Sequence, residues 1–556
     1  MPDRQPKAAT AIEMAGRQRE ISVSEFFLKN RHLLGFDTPA KALVTAVKEA
    51  VDNALDACEE AGLLPDISVQ VRDRFGKSRV VVEDNGPGIV ESQIARIFGK
   101  LLYGSKFHKL SQSRGQQGMG ISAAGMYGQL TVGKPLHIIS RVEGDELASE
   151  LYVSIDTANN RSDIHKKRRV EWDRPHGTRV EIDMEGHHQS GPHSVEVYLK
   201  QTAIANPHIS IAYRNPQGRE ILFARSTDRL PARPREIKPH PRGVELGRLI
   251  QMLNSTKSRS LLRFLVDEFS CVGKKTALEI IKHAGKPLSD RSYPTHIAHA
   301  QAAALHHAIQ KTPIQAPRTD CIVPIGEAQL FEGLRKELQA DFYTVTTRPA
   351  AAYRGNPFQV EVGIAFGRPG EPEIEFGASG HMRKKQAQDV GAAEQLIARK
   401  DEPVHLLRFA NRVPLLYQQS SCAITKAVIQ TNWRTYGLQQ PKGALPIAPM
   451  AILVHVASVW VPYTSESKEA IEPYPEILKE IKLGLQQCAR QLAHYLRREL
   501  HHRQEYDRRS YIEKYLPHIG VALQDILTLT DEERDAAMQK LDNVLHASRT
   551  TQRRDP

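Results

Sequence analysis

The first regular pattern of apolar residues along the chain is helical. Across residues 38–61, apolar side chains recur every three or four positions, which predicts an α-helix with one buried face. Thr38 can cap the first turn, Pro39 suits the position after the cap, and Gly62 is a typical terminator. The predicted buried positions are Leu43, Val47, Ala50, Val51, Ala54 and Leu55.

Runs of β-branched and alternating residues after this helix predict a sheet. The runs are 67–71, 79–83, 137–141, 150–155 and 178–184. Helix and strand patterns continue to about residue 237. We therefore predict a polar, flexible arm over residues 1–23 and a mixed α/β domain over residues 24–237.

The pattern changes to almost wholly helical between residues 246 and 310, flanked by two proline-containing linkers. This predicts an all-helical insert over residues 238–315. Strand patterns return at 358–366 and 450–461, which predicts a second mixed domain over residues 316–506. The fold class is then α+β with several domains, followed by a charged, partly helical tail at 507–556.

The second mixed domain is predicted to end in a long helix over about residues 475–506. Its apolar residues form one stripe, at spacings of three or four positions. The stripe would either dock on its own domain or pack against a partner, and the sequence leaves both open. Its members are Ile477, Ile481, Leu485, Cys488, Leu492 and Leu496.

Composition adds limits on the class of protein. A chain of 556 residues exceeds what a single core usually serves. The five cysteines are scattered, with no CxxC pair, and no apolar run approaches the roughly 20 residues that span a bilayer. We expect a soluble cytoplasmic protein with no membrane partner. The formal net charge of +12 makes a polyanionic partner such as DNA plausible.

Glu49 and Asn53 are the first candidates for chemistry. They lie four positions apart on the predicted helix, so their side chains emerge on one face. A carboxylate can take a proton from water, and an amide oxygen can bind a hard cation. Such a pair alone is common on solvated helices.

Two further motifs follow within the same predicted domain. Asp84 follows a β-branched run, so it lies at the end of a predicted strand. The NGPG turn after it would let the backbone approach a ligand closely. Gly115, Gly118 and Gly120 then open a segment of small residues, where free N–H groups could bind an anion at a helix start.

In this order, the motifs resemble the Bergerat ATP-binding fold of the GHKL superfamily, and HGTRVEI at 176–182 is a fourth match. The resemblance implies that Glu49 is the general base, that Asn53 binds Mg²⁺, and that Asp84, Gly88 and Thr178 hold adenine. The implied cofactors are ATP and Mg²⁺. The implied lid around the phosphates contains Ser105, Lys106, Gly115, Gln116, Gln117, Gly118, Met119 and Gly120.

Longer segments are similar to the B subunits of DNA topoisomerase VI, a type IIB topoisomerase. They cover residues 26–43, 101–108, 408–417 and 452–471. The resemblance implies that the helical insert is a helix–two-turns–helix domain and that the last domain is a transducer. It also implies that a transducer lysine contacts the γ-phosphate. Lys468 is the first choice for this lysine and Lys442 the alternative.

By the same resemblance, the chain is one component of an ATP-hydrolysing DNA topoisomerase and dimerises on binding ATP. It would act on double-stranded DNA in an A2B2 heterotetramer near the nucleoid, relaxing supercoils and decatenating DNA. The separate A subunit would cleave the DNA. The alternative is a MutL-like clamp that ATP switches without strand cleavage.

Overall fold

The computed structural model describes residues 11–15, 23–74, 76–104, 110–115, 118–156, 159–367, 375–376, 382–383 and 397–551. The chain divides into two compact units, the first ending at Cys488 and the second beginning at Ala489. Helices and sheets are mixed, so the predicted α+β class is confirmed. None of the described helices is both long and apolar enough to cross a bilayer.

The amino-terminal part of the first unit is built on an eight-stranded sheet in the order β5-β4-β3-β6-β2-β1-β7-β8. Neighbouring strands are antiparallel, except that β1 and β7 are parallel. The helices are α1 (Ala11–Ala15), α2 (Val23–Lys29), α3 (Pro39–Ala61), α4 (Glu91–Gly99), α5 (Gly120–Val132) and α6 (Val195–Ala205). The strands are β1 (Asp66–Arg74), β2 (Lys77–Glu83), β3 (Leu136–Arg141), β4 (Ala148–Asp156), β5 (Arg161–Val170), β6 (Gly177–Glu185), β7 (Ser210–Arg214) and β8 (Glu220–Phe223).

Helix α3 has the predicted bounds and the predicted caps. Thr38 Oγ1 accepts a hydrogen bond from the Lys41 amide at 3.3 Å, and Gly62 ends the helix with a left-handed φ of 80°. Its apolar face is buried in the core beneath the sheet, as its periodicity indicates. The six predicted buried positions are all buried.

Strand β5 forms one edge of the sheet and was not predicted. Its sequence, RSDIHKKRRV, lacks apolar alternation, and most of its residues are exposed. Backbone pairing with β4 and ion pairs such as Arg168–Glu150 hold it in place. A charged edge strand of this kind also discourages pairing with other chains.

The predicted helical insert is confirmed as helical. Its helices surround a separate small core that includes Phe264 and Phe269, whose rings meet edge to face. They are α7 (Leu246–Ser255), α8 (Leu261–Glu268), α9 (Lys274–Ala284) and α10 (His299–Lys311).

The remaining part of the first unit contains a six-stranded sheet in the order β10-β11-β16-β14-β15, with β9 also paired to β11. The central strand β16 is buried along its whole length, but it ends at Ser458 rather than at the predicted residue 461. The helices are α11 (Glu327–Glu337) and α12 (Ala423–Gln430). The six strands are β9 (Phe342–Thr347), β10 (Ala351–Tyr353), β11 (Asn356–Phe366), β14 (His405–Ala410), β15 (Val413–Pro414) and β16 (Met450–Ser458). Strands β12 (Glu375–Phe376) and β13 (Met382–Arg383) form a separate two-stranded sheet.

The long helix α13 runs from Pro475 to Leu527, well beyond the predicted end at residue 506. The prediction ended the helix where the apolar periodicity stops. The charged residues that follow also form helices readily, so the helix continues. The helix even continues through Pro517. A further helix, α14 (Asp531–Thr551), follows where a partly helical tail was predicted.

Candidate functional site

A cavity of about 550 Å³ opens in the first unit. It is lined by α3, the turn after β2, the start of α5 and the loop after β16. Ten residues assigned from the sequence line it: Glu49, Asn53, Asp84, Gly88, Gly115, Gly118, Met119, Gly120, Thr178 and Lys468. Ser105, Lys106, Gln116 and Gln117 lie outside the described residues.

Helix α3 turns one polar face toward this cavity. Glu49 and Asn53 lie one turn apart on it, with Asp56 and Glu60 further along the same face. The Glu49 carboxylate lies against the first residue of α5, since a Cβ at Gly120 would come within 1.7 Å of Glu49 Oε2. Glycine is therefore required at Gly120 for Glu49 to occupy this position.

Asp84 lies just after β2 and is 7% exposed. Its Oδ1 accepts hydrogen bonds from the amides of Gly86 at 2.8 Å and Thr178 at 3.1 Å. Burial raises the pKa of Asp84 to about 6, although these two hydrogen bonds favour the charged form. With Oδ1 fixed by backbone, the second oxygen can accept a hydrogen bond from a ligand.

Two glycines make the turn around Asp84 possible. Gly88 has a φ of 74°, and a Cβ there would lie 2.0 Å from the carbonyl oxygen of Arg141. Gly177 has a φ of 137°, and its Cβ would lie 2.1 Å from the carbonyl oxygen of Asp84. A side chain at either position would displace the neighbouring backbone carbonyl group.

The glycine segment, residues 115–120, follows a buried arginine that the sequence did not single out. Arg114 donates to Asp56 Oδ1 at 2.9 Å, to both oxygens of Glu59, and to Asn206 Oδ1 at 2.6 Å. Burial alone would lower the pKa of Arg114, but the two carboxylates raise it instead. The start of the segment is thus fixed to α3, and the first turn of α5 follows it, where N–H groups have no acceptor within the helix itself.

Lys468 reaches the cavity from the loop after β16, beyond the helical insert in the chain. It is 6% exposed, and its Nζ donates to the Arg114 carbonyl oxygen at 3.1 Å. The cation therefore lies beside the glycine segment. Lys442, the alternative, is exposed and is not among the residues that line this cavity.

Two further ionisable residues, the buried Asp52 and the half-buried Lys48, lie on α3 beside the cavity. Asp52 accepts a hydrogen bond from the Tyr198 hydroxyl at 3.2 Å, and burial raises the pKa of Asp52 to about 7. Burial lowers the pKa of Lys48, which lies one turn before it. In the sequence both residues resemble ordinary polar positions of a helix. Only the fold shows that they lie beside the cavity and that burial shifts their pKa values.

The donor set of the cavity fits a hard cation held mainly by a ligand. Among the described residues no cluster of three or more histidine, cysteine, aspartate or glutamate side chains could hold a metal alone. Asn53 is exposed and lines the cavity, and its side chain has one amide oxygen that can bind a cation. Mg²⁺ commonly binds through one or two protein oxygens plus substrate phosphates, which this arrangement allows.

The fold and the cavity define the class. Residues 41–178 match the family model of histidine kinase-, DNA gyrase B- and HSP90-like ATPases, so the cavity is a nucleotide site of that class. Residues 317–508 match the model of the transducer found in topoisomerase VI B subunits.

Curated relatives give the particular family. The B subunit of type 2 DNA topoisomerase 6 from Archaeoglobus fulgidus is 44% identical over 543 residues, covering 98% of this chain and 85% of the relative. The protein of the same name from Methanococcoides burtonii is 46% identical over 523 residues, covering 94% of this chain and 79% of the relative. This chain belongs to the family of type 2 DNA topoisomerase 6 B subunits. The relatives do not favour the alternative of a MutL-like clamp.

Proposed function

We propose that this chain is the ATP-hydrolysing B subunit of a type IIB topoisomerase, acting with a separate A subunit on double-stranded DNA. The proposed assembly is an A2B2 heterotetramer in the cytoplasm, associated with the nucleoid. ATP binding dimerises the B subunits, and hydrolysis resets them after a duplex has passed. The formal net charge of +12 supports a DNA partner.

Each cavity group has a proposed role in hydrolysis. Asp84 accepts a hydrogen bond from the adenine amine, and the first N–H groups of α5 bind phosphate oxygens. Glu49 takes a proton from the attacking water. Mg²⁺, held by the Asn53 oxygen and the phosphates, would neutralise charge on the phosphoryl oxygens.

The observation that carries the proposal is that Glu49 and Lys468 line the same cavity. The base lies on α3 of the amino-terminal part, and the cation comes from the loop after the central strand of the second sheet. A cation beside the γ-phosphate stabilises the charge that develops during transfer. Loss of that phosphate removes the contact, so hydrolysis can change how the two parts are held.

Glu49→Ala tests the assignment of the base. The variant should bind ATP and dimerise, because adenine and phosphate contacts remain, but its turnover should fall by at least about 100-fold. Glu332→Ala, on the exposed face of α11, is the matched control and should hydrolyse ATP normally. Normal hydrolysis by Glu49→Ala would exclude Glu49 as the base.

A reconstitution tests the topoisomerase assignment itself. The chain is mixed with an A subunit from a relative, and ATP-dependent relaxation of supercoiled plasmid is followed on gels. We expect relaxation with ATP and none with Glu49→Ala. ATP hydrolysis with neither capture of the A subunit nor relaxation would instead support a clamp.

A further inference from the structure

Helix α3 carries a third face, distinct from its core face and its cavity face. Lys41 and Lys48 lie two turns apart on it, and both contact the Lys468 loop, defined here as residues 464–470. Lys41 Nζ lies 2.5 Å from Glu469 Oε1, and Lys48 Nζ donates to the Ser467 carbonyl oxygen at 3.4 Å.

The Lys468 loop needs such contacts because its backbone is strained. Lys468 has a φ of 53°, a left-handed conformation that is unfavourable for a residue other than glycine. The turn is closed by the Lys468 amide, which donates to the Ser465 carbonyl oxygen at 3.1 Å. Strain of this kind persists where surrounding contacts fix the conformation.

Glu469 is the residue through which the loop forms an ion pair with α3. It is 4% exposed, and neither of its carboxylate oxygens has a hydrogen bond of regular geometry within the described part of the chain, so its contact with Lys41 is an ion pair. Lys41 is the cation in direct contact with this buried carboxylate, and Lys48 also feels its charge. Lys41 is itself held by Asp37 at 3.0 Å and lies 4.9 Å from the centre of the Tyr417 ring.

We propose that Lys41 and Glu469 are positioning residues that hold the Lys468 loop on α3 and so place the Lys468 ammonium group at the nucleotide. The Lys41–Glu469 pair joins the residue that follows Lys468 to α3, the helix that carries Glu49 about two turns further on. This inference rests on the proposed phosphate contact of Lys468. Breaking the pair leaves a buried carboxylate without a cation, which favours release of the loop.

Charge reversal in the full-length chain tests the pair. Lys41→Glu and Glu469→Lys should each lower kcat for ATP on the order of tenfold, with a smaller change in KM, and the double variant should recover most of the loss. Reversing the exposed pair Arg263–Asp267 is the matched control and should change neither constant. Full activity of both single variants, or no recovery in the double variant, would overturn the proposal.

A second arm separates positioning from general stability. Glu469→Gln keeps the shape of the side chain and should fold, as checked by circular dichroism. In a Lys468→Ala background it should cause no further loss of kcat, because the lysine that it positions is gone. A further tenfold loss in that background would show that Glu469 acts elsewhere. Two other results would contradict the proposed function rather than this inference. They are a wild-type chain that does not hydrolyse ATP, and a Lys468→Ala variant that hydrolyses ATP at the wild-type rate.

Discussion

At the scale of single residues, the cavity depends on side chains held in unusual environments. The Asp84 carboxyl is buried but retains two backbone donors, and Glu49 has its place only because Gly120 has no side chain. The order of the motifs predicted Asp84, Glu49 and Gly120 as site residues. Neither the raised pKa of Asp84 nor the contact between Glu49 and Gly120 follows from the motifs alone.

The raised pKa of Asp84 predicts a pH-dependent affinity for ATP. The carboxylate must be ionised to accept from adenine, and its pKa is about 6 rather than the ordinary 3.8 because of burial. As the pH falls from 7.5 to 5, Asp84 takes up a proton, and the dissociation constant should rise about tenfold. Isothermal titration calorimetry at the two pH values measures this dissociation constant. Asp84→Asn should bind weakly and lose this dependence, whereas an equal pH dependence in both proteins would contradict the prediction.

Gly120→Ala should impair turnover more than nucleotide binding. The new methyl group would occupy the position of the Glu49 carboxylate, so the base must move while the adenine end is unchanged. We expect kcat to fall on the order of 100-fold. Gly247→Ala is a suitable control, because a Cβ at Gly247 meets nothing within 4 Å. A variant with normal kcat would show that Glu49 does not act from its observed position.

At the scale of elements, α3 organises the site because it contacts the core, the cavity and the glycine segment at the same time. Its core face packs under the sheet, its cavity face carries Glu49 and Asn53, and Arg114 fixes the glycine segment to its last turns through Asp56 and Glu59. The pKa of Glu59 is lowered, since the charge of Arg114 and the Arg114 and His208 hydrogen bonds outweigh its burial.

Arg114→Met should destabilise the protein strongly. It leaves Asp56 and Glu59 partly or wholly buried without their cation, which costs about 3–5 kcal/mol. Because the pKa of Glu59 is lowered in the folded state, this stabilisation exists above its ordinary value of 4.5 and is lost in acid. Urea unfolding at pH 7 and pH 4 should show a smaller difference between variant and wild type at pH 4. Arg263→Met, in an exposed pair, should cost less than about 1 kcal/mol at either pH.

The elements that the sequence predicted well are those with strong local signals. Thr38, Pro39 and Gly62 mark the bounds of α3 through local interactions alone: a side-chain cap, a fixed φ and a left-handed terminus. Strand β5 has no such signal, because it is held by pairing to β4 rather than by apolar alternation. The end of α13 was missed for a related reason, since helix-forming charged residues continue past the last apolar stripe.

At the scale of the whole molecule, the site joins segments far apart in the chain. Lys48 and Ser467 are 419 positions apart, yet their atoms meet beside the cavity. Lys468 was assigned from resemblance to a family, and its place at the cavity supports that assignment. The contacts of Lys41, Arg114 and Glu469 have no motif, because each depends on a partner that only the folded chain brings near.

Substituting each of the two candidate lysines, Lys468 and Lys442, tests which of them contacts the phosphate from the second mixed domain. Lys468→Ala should lower kcat for ATP by about 100- to 1,000-fold, because a cation beside the transferred phosphate is lost. Lys442→Ala should stay within about twofold of wild type, since Lys442 is exposed and does not line the cavity. Steady-state hydrolysis measures both. The reverse result would transfer the role to Lys442.

The three faces of α3 also limit how this chain can change over evolutionary time. Inserting or deleting one residue in the helix would rotate everything beyond it by about 100°, misaligning packing, chemistry and loop contact together. Substitutions have little more freedom, because most positions already serve one of these faces. Adaptation of the ATP cycle is therefore easier through the loop that docks on α3 than through the helix itself, which acts as the fixed reference against which the rest of the machine is adjusted.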